Sequence, residues 1–377
     1  MIIADLQIHG PYAQATSKNT TFDLLEKYAR IKGINLLGCG DFQHPLWNKE
    51  IKNKLTADES GILWTKDKFP FLWQTEISLI YTQDGKGRRV HHLIFAPDKD
   101  VADQIIEALS KKGRLDYDGR PIFGFNSIEL VDMMMAISKD IEIIPAHIWT
   151  THFSLMGDYN KYSKVEDCFK ENTKYIHALE TGMSSNPAMN WRISNLDKFQ
   201  LVSFSDAHSY WPYRLGREAT IFDLKELTYK NLINAIRTGE GLSSTIETPP
   251  EYGKYHFSGH RNCNIFLDPK QSASIKGICP ICKTRLTIGV AERVEELADR
   301  SEGYKRENAK PFIELIPLSE LIAVVYNRPL ASKNVWQIYN KLIARFGNEL
   351  NILLNANEKD LLEVVDKKLV GVILLNR

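Results

Sequence analysis

The 377-residue chain contains no uncharged apolar run near the ~20 residues that a bilayer-spanning helix requires. Asp5 interrupts the opening MIIADLQIHG, where a signal peptide would need an unbroken apolar core, so a cytoplasmic location is expected. Cysteine is scarce, with only Cys39, Cys168, Cys263, Cys279 and Cys282. Three of the five crowd together and two stand alone, which argues against a disulfide framework and for a metal site in a reducing compartment. A formal net charge of +1 supplies no global basic field, so any nucleic acid would have to be held by local patches. Internal repeats and low-complexity tracts are also missing. What remains is an ordinary globular composition, 43% hydrophobic and 25% charged, long enough for two or three domains.

From Met1 to about residue 245, strand-like runs alternate with amphipathic helices. IIADLQIH and INLLGCGD read as strands around a helix TFDLLEKYARIK that carries Phe22, Leu25 and Ala29 on one face and stops at Gly33. FLWQTEISLIYT and RRVHHLIFAP flank QDGKG as a hairpin. Helical KDVADQIIEALS and SIELVDMMMAIS, strand IEIIPAH, helical KVEDCFKEN, and strands YIHALET and QLVSFSDAH follow. Such repeated units predict an α/β domain with a mostly parallel sheet, open or closed into a barrel. Pro249-Pro250 and nearby glycines mark a linker. The expected division is a phosphoesterase-type barrel over 1–245, a zinc-binding module over 246–303 and a C-terminal helical segment over 304–377.

Strand ends carry the chemistry. Asp5, Gln7 and His9 share one face of the first strand, because alternate residues of an extended chain point the same way. Asp41 and His44 follow the second, Glu76 and His92 lie in the hairpin, and His147, Glu180, Asp206 and His208 end later strands. Any one of them alone is more often a cap or a satisfied core residue. His91, which alternates away from His92, and His177, early in its strand, stay in that class. Together they are too many titratable groups to bury without cations. Mixed His, Asp and Glu suit Zn²⁺, Mn²⁺ or Fe²⁺ better than Mg²⁺ alone, and their number exceeds one tetrahedral shell, so two or three divalent ions are expected.

In order, DLQIH, GDFQH, TEIS, VHHLIF, PAHIW and SDAH resemble the motifs of the PHP (polymerase and histidinol phosphatase) superfamily. The resemblance implies a distorted seven-stranded barrel with a trinuclear metal centre that hydrolyses phosphoesters. It implies His9, Asp41, His44, Glu76, His92, His147, Asp206 and His208 as metal ligands, with Glu76 bridging and Glu76, Asp206 and His208 catalytic. The superfamily's first motif is D-L-H-x-H, and this chain has Gln7 at the first imidazole position, a neutral and weaker donor.

His260-x2-Cys263 followed by Cys279-x2-Cys282 has the spacing of a structural zinc ribbon, with His256 as the alternative fourth ligand. This module and its flanks, ALETGMSSNPAMNWRISNLDKFQLVSFSDAHS, LGREATIFD, YHFSGHRNC, CPIC and LTIGVAERVEELADR, resemble the endonuclease Q family, DNA-repair nucleases that cut on the 5′ side of deaminated bases. That resemblance implies hydrolysis next to hypoxanthine, uracil, xanthine or an abasic site, leaving a 3′-hydroxyl and a 5′-phosphate. Damaged DNA is then the expected partner, with a sliding clamp as a second candidate and no membrane. Arg192, Arg217, Arg285 and Arg293 are candidate phosphate contacts. Trp149, Trp191, Tyr210 and Trp211 are candidates for stacking on an extruded base, although core packing is the plainer role for each. Two alternatives stay open: a phosphatase of small phosphomonoesters, and a nucleic-acid-binding protein whose metal centre has decayed, a reading that Gln7 keeps alive.

Overall fold

A computed structural model describes all of residues 1–377. The local signals give the elements that they should. Thr21 accepts from the Leu24 N–H to start the helix Phe22–Lys32, and Gly33, at φ 102°, ends it. Asp84 and Gly85, both at positive φ, turn the chain between the strands Gln74–Gln83 and Lys86–Phe95. Asp98 and Asn126 cap the helices Lys99–Ser110 and Ser127–Ile137.

The strands do not close one hydrogen-bonded cylinder of seven. The strand Ile2–Asp5 runs parallel to Leu36–Gly38, which continues parallel to Pro70–Leu72. On its other edge Ile2–Asp5 lies antiparallel to Ala219–Phe222, which pairs with Leu242–Glu247. A separate sheet holds the long hairpin with Glu142–Pro145, and Ala178–Glu180 pairs with Gln200–Val202 in a third. One bridge, Ile8 to Ala207, joins the first sheet's lead strand to the chain after the third. The expected closed barrel is not seen; what the strands share is a core, in which Ala4, Leu36, Leu72, Leu93, Ile144, Ala178, Val202 and Phe222, one from each of eight strands, are buried in one cluster.

The expected domain edges are crossed. Leu242–Glu247 runs through residue 245, and Phe312–Glu314, beyond the cysteine-bearing module, returns to pair parallel with it. The module itself is a small hairpin, Ser258–His260 with Ile265–Leu267, plus the knuckle around Cys279. Five helices between Leu318 and Leu375 follow. The apolar tail is the last of them, Lys367–Leu375, with Leu369, Val370 and Ile373 buried. No helix is long and apolar enough to cross a membrane.

Candidate metal centre

Three sharp strand-to-loop transitions aim the site. Asp41, His147 and Asp206 have φ of 36°, 32° and 48°, a left-handed conformation that costs a non-glycine residue about 1–3 kcal/mol. His147 and Asp206 lie just past the strands Glu142–Pro145 and Gln200–Val202, and Asp41 follows Gly40, itself at φ 70°, just past the strand Leu36–Gly38, so in each case the chain turns sharply off the sheet where the side chain enters the site. Asp5 helps to hold the last of these turns. Its buried carboxylate accepts from the Ser205 and Gly216 backbone N–H groups at 2.9 and 2.8 Å, and Arg217 donates to the Ser205 carbonyl at 3.0 Å. Gly182, at φ 57°, lets the neighbouring loop press on His147, where a β-carbon would lie 2.7 Å from the His147 β-carbon. Glu180 accepts from the His147 N–H at 2.7 Å.

His9 stands at the middle. Its Nδ1 lies 2.9 Å from Asp41 Oδ1, and its Nε2 lies 3.0 Å from Glu76 Oε2 and 3.1 Å from Asp206 Oδ1. Burial alone would favour the neutral ring, but Asp41, Asp206 and Glu76 together raise its pKa well above the usual range. Asp206 behaves in the opposite sense: burial pushes its carboxyl up, and His208 and His9 outweigh this and hold it below the usual range. The other Glu76 oxygen lies 2.6 Å from His91 Nδ1 and 3.5 Å from His147 Nε2. The donors therefore form two groups, Glu76 with His91 and His147, and His9 with Asp206 and His208, each with its ligand atoms within 4.8 Å of one another. They meet where His9 touches Glu76.

His92 is not part of this set. The hairpin register places Ser78 opposite His91 and Ile77 opposite His92, so His91 shares the Glu76 face and His92 faces the other way. There His92 Nε2 lies 2.9 Å from Ser127 Oγ, and burial drives its pKa down to about 3. His91, expected to be a core residue, is the one at the site. His177 does lie outside it, 3.0 Å from Glu142.

The remaining expected ligands are nearby in a different capacity. Asp41 accepts from the Gly10 N–H at 2.8 Å while contacting His9, so it orients that imidazole. His44 stacks on Tyr12 at 4.4 Å, with a buried Nδ1 that has no partner, and belongs to neither donor group. Gln7 donates its amide to Glu76 Oε2 at 3.0 Å, and its own buried oxygen has no partner. Arg120 was not singled out from the sequence, because nothing marks a lone arginine in a polar loop. Its guanidinium lies 3.5 Å from Glu76 Oε1.

A second donor set lies in the small module, where His260, Cys263, Cys279 and Cys282 bring one ligand atom each within 4.8 Å of the others. Cys282 Sγ is 3.1 Å from His260 Nδ1, and the Thr284 hydroxyl and N–H beside it lower the Cys282 pKa to about 6. His256 is buried against Phe257, outside the set. Between this module and the loop after His147 lies a cavity of about 460 Å³, lined in part by His152, Tyr255, Phe257, Arg261 and Phe266.

The four candidate DNA-contacting arginines separate. Arg293 is 2% exposed and donates to the Met156 and Tyr162 carbonyls, so it fastens the helix Val290–Leu297 to the loop after His147 instead of facing solvent. Arg192 pairs with Glu295 at 2.7 Å and serves the same junction. Arg217 is committed to Ser205. Arg285 alone is exposed. Trp149 and Trp191 are buried in the core, while Tyr210 and Trp211 are half-buried.

Residues 317–377 match the family described as the MJ0043 C-terminal domain. MJ0043 of Methanocaldococcus jannaschii, an uncharacterised protein, is 29% identical over 314 residues, which cover 80% of this chain but 38% of that protein. The chain thus spans well under half the length of this relative. The crystal structure of PfuEndoQ from Pyrococcus furiosus, a lesion-specific endonuclease, superposes with a TM-score of 0.88 at 29% identity, covering 100% of this chain and 90% of that one. Endonuclease Q in complex with a 27-mer duplex carrying an abasic lesion at its active site superposes equally well, TM-score 0.88 at 30% identity, covering 99% of this chain and 90% of that one. With similarity running along the whole chain and a polar centre of this composition, the chain belongs to the endonuclease Q family.

Proposed function

We propose that this protein nicks DNA on the 5′ side of a deaminated base or an abasic site, leaving a 3′-hydroxyl and a 5′-phosphate. The observation that carries this reading is the pair of three-donor groups meeting at His9 and Glu76, in a chain whose whole length follows a lesion-specific endonuclease.

The residues fit divalent ions. Gln7 Oε1 is a buried oxygen without a hydrogen-bond donor, Glu76 Oε1 is crowded by two imidazoles, and three carboxylates, Asp41, Glu76 and Asp206, surround a single imidazole. Glu76, His91 and His147 would hold one ion, and His9, Asp206 and His208 another; imidazole with carboxylate suits Zn²⁺, Mn²⁺ or Fe²⁺. Such ions, when bound, lower the pKa of water and stabilise negative charge on a phosphate and its leaving oxygen. His260, Cys263, Cys279 and Cys282 would hold a structural zinc, whose binding energy substitutes for the core that so short a segment lacks.

The protein's own groups do the positioning. Asp41 fixes the tautomer and tilt of His9. Asp5 and Arg217 fix the turn that presents Asp206, and the Asp206 carbonyl receives His208 Nδ1 at 2.8 Å, leaving its Nε2 for the site. The cavity beside the zinc module is within the usual size range of small-molecule pockets and offers aromatic faces, so it is suited to an extruded base. Exposed Arg285 would meet the backbone of the bound duplex.

The test is an end-labelled duplex with one hypoxanthine, incubated with Mn²⁺ or Mg²⁺ and resolved on a sequencing gel. A nick one bond 5′ to the lesion, absent from undamaged DNA and abolished by Asp206→Asn with binding retained, is expected. Cutting at full rate by Asp206→Asn would overturn the assignment.

A further inference from the structure

A loop reaches into the metal centre from outside it. Gly119 sits so close to Asp41 that a β-carbon there would collide with the carboxylate, and the Gln43 side chain donates to the Gly119 carbonyl. The loop is thereby pinned from the site's own side, and the next residue, Arg120, extends its guanidinium among the donors. Nη1 lies 3.5 Å from Glu76 Oε1, the oxygen that also faces His91 Nδ1 and His147 Nε2. Asp206, Asp41 and Asp118 are the other charges it meets. The contact with Glu76 is one of charge without a closed hydrogen bond, and the side chain remains 23% exposed. A guanidinium and a divalent ion compete for that one oxygen, since like charges a few ångströms apart repel strongly in a buried site.

We propose that Arg120 is an exchangeable cation: it neutralises Glu76 until an ion takes the Glu76–His91–His147 group, and it then turns its fork onto a non-bridging oxygen of the scissile phosphate. The inference rests on the metal-dependent nuclease reading above. The geometry supplies both halves. Arg120 contacts a ligand oxygen that an ion would claim, and its planar row of N–H donors, still unused, matches phosphate geometry better than an ammonium would. The glycine before it and the strapped carbonyl hold the stem in place, so that only the outer part of the side chain need move.

The two roles have opposite signs in one variant. Arg120→Met, with the fold checked by circular dichroism, should bind Mn²⁺ on the order of tenfold more tightly in calorimetric titration of the full chain, because a competing charge is gone. The same variant should cleave lesion-bearing DNA with kcat/KM lowered on the order of tenfold or more, through the lost phosphate contact. Arg120→Lys keeps the charge and loses the fork, so its Mn²⁺ affinity should stay near that of the parent while cleavage falls. Arg120→Gln is the second neutral variant if the methionine form does not fold. Mn²⁺ binding unchanged or weaker in the neutral variants would overturn the exchange, and unchanged kcat and KM would overturn the phosphate role. If the parent protein takes up no Mn²⁺ in the barrel, the metal-nuclease reading itself fails, and this inference with it.

Discussion

His91 Nδ1 lies 2.6 Å from Glu76 Oε1, whereas His92, its neighbour in the chain, makes its contact with Ser127 on the opposite face of the same hairpin. The two histidines therefore predict different phenotypes. His91→Ala should lower nicking on the order of a hundredfold and weaken Mn²⁺ binding, as loss of an ion's imidazole does. His92→Ala should leave Mn²⁺ binding in place and destabilise the fold by about 1–3 kcal/mol, the consequence of a cavity and a lost buried hydrogen bond, the Ser127 hydroxyl keeping only its contact with Tyr81. Mn²⁺ titration and urea unfolding of the two variants separate the roles.

Lys32, at the end of the helix Phe22–Lys32, and Glu349 join the N-terminal part of the fold to the helical end of the chain. Their charged atoms are 2.7 Å apart and almost wholly buried, and Glu349 also accepts from the Tyr339 hydroxyl and the Leu318 N–H. Lys32→Met strands the carboxylate and should cost about 3–5 kcal/mol. Equilibrium unfolding measures this, and a loss of less than 1 kcal/mol would mean that the pair behaves like a surface one.

Stability should depend on pH through a buried acid beneath the site. Burial raises the Glu218 pKa to about 8, despite hydrogen bonds from Ser203 and the Thr248 N–H, and Glu247 close by is raised as well. An unfolded glutamate titrates near 4.5. Between those two values the folded state holds the extra proton, so stability falls as pH rises through that window. Melting temperatures measured from pH 5 to pH 8 should decline, and Glu218→Gln should flatten the decline.

The module's four-donor site should be separable from the barrel. Cys279→Ser removes the buried thiol of the set and should expose the segment between the Ser258–His260 strand and the knuckle to protease, while Mn²⁺ uptake by the barrel persists. Zinc content by elemental analysis should drop by one ion per chain.

Two arginines close together in the sequence should part in their effects. Arg285→Ala should weaken DNA binding and reduce its salt dependence by about one unit of slope, as the loss of a phosphate contact does. Arg293→Ala should instead lower thermal stability, since its guanidinium bonds carbonyls in the core. Binding isotherms at several salt concentrations and melting curves test both.

Much was determined by the sequence alone. The acids and imidazoles at Asp41, His147, Asp206 and His208 are legible because an apolar run followed by a polar residue is a local signal, and strand ends converge in this architecture, while Glu76 lies near the start of the strand Gln74–Gln83. The His260, Cys263, Cys279 and Cys282 spacing is local too, as are the capped helix ending at Gly33 and the turn at Asp84-Gly85. Tertiary structure decided the rest, wherever the deciding partner is distant along the chain. Whether His91 or His92 faces Glu76 depends on a one-residue choice of hairpin register, and a slip of one exchanges the two faces. Arg293 resembles a surface arginine until the carbonyls of Met156 and Tyr162 are seen to enclose it. The return of Phe312–Glu314 to the first sheet and the reach of Arg120 to Glu76 are likewise long-range. Pairing across tens or hundreds of residues leaves no trace in local composition, because the energy that selects it resides in contacts that exist only once the chain has folded.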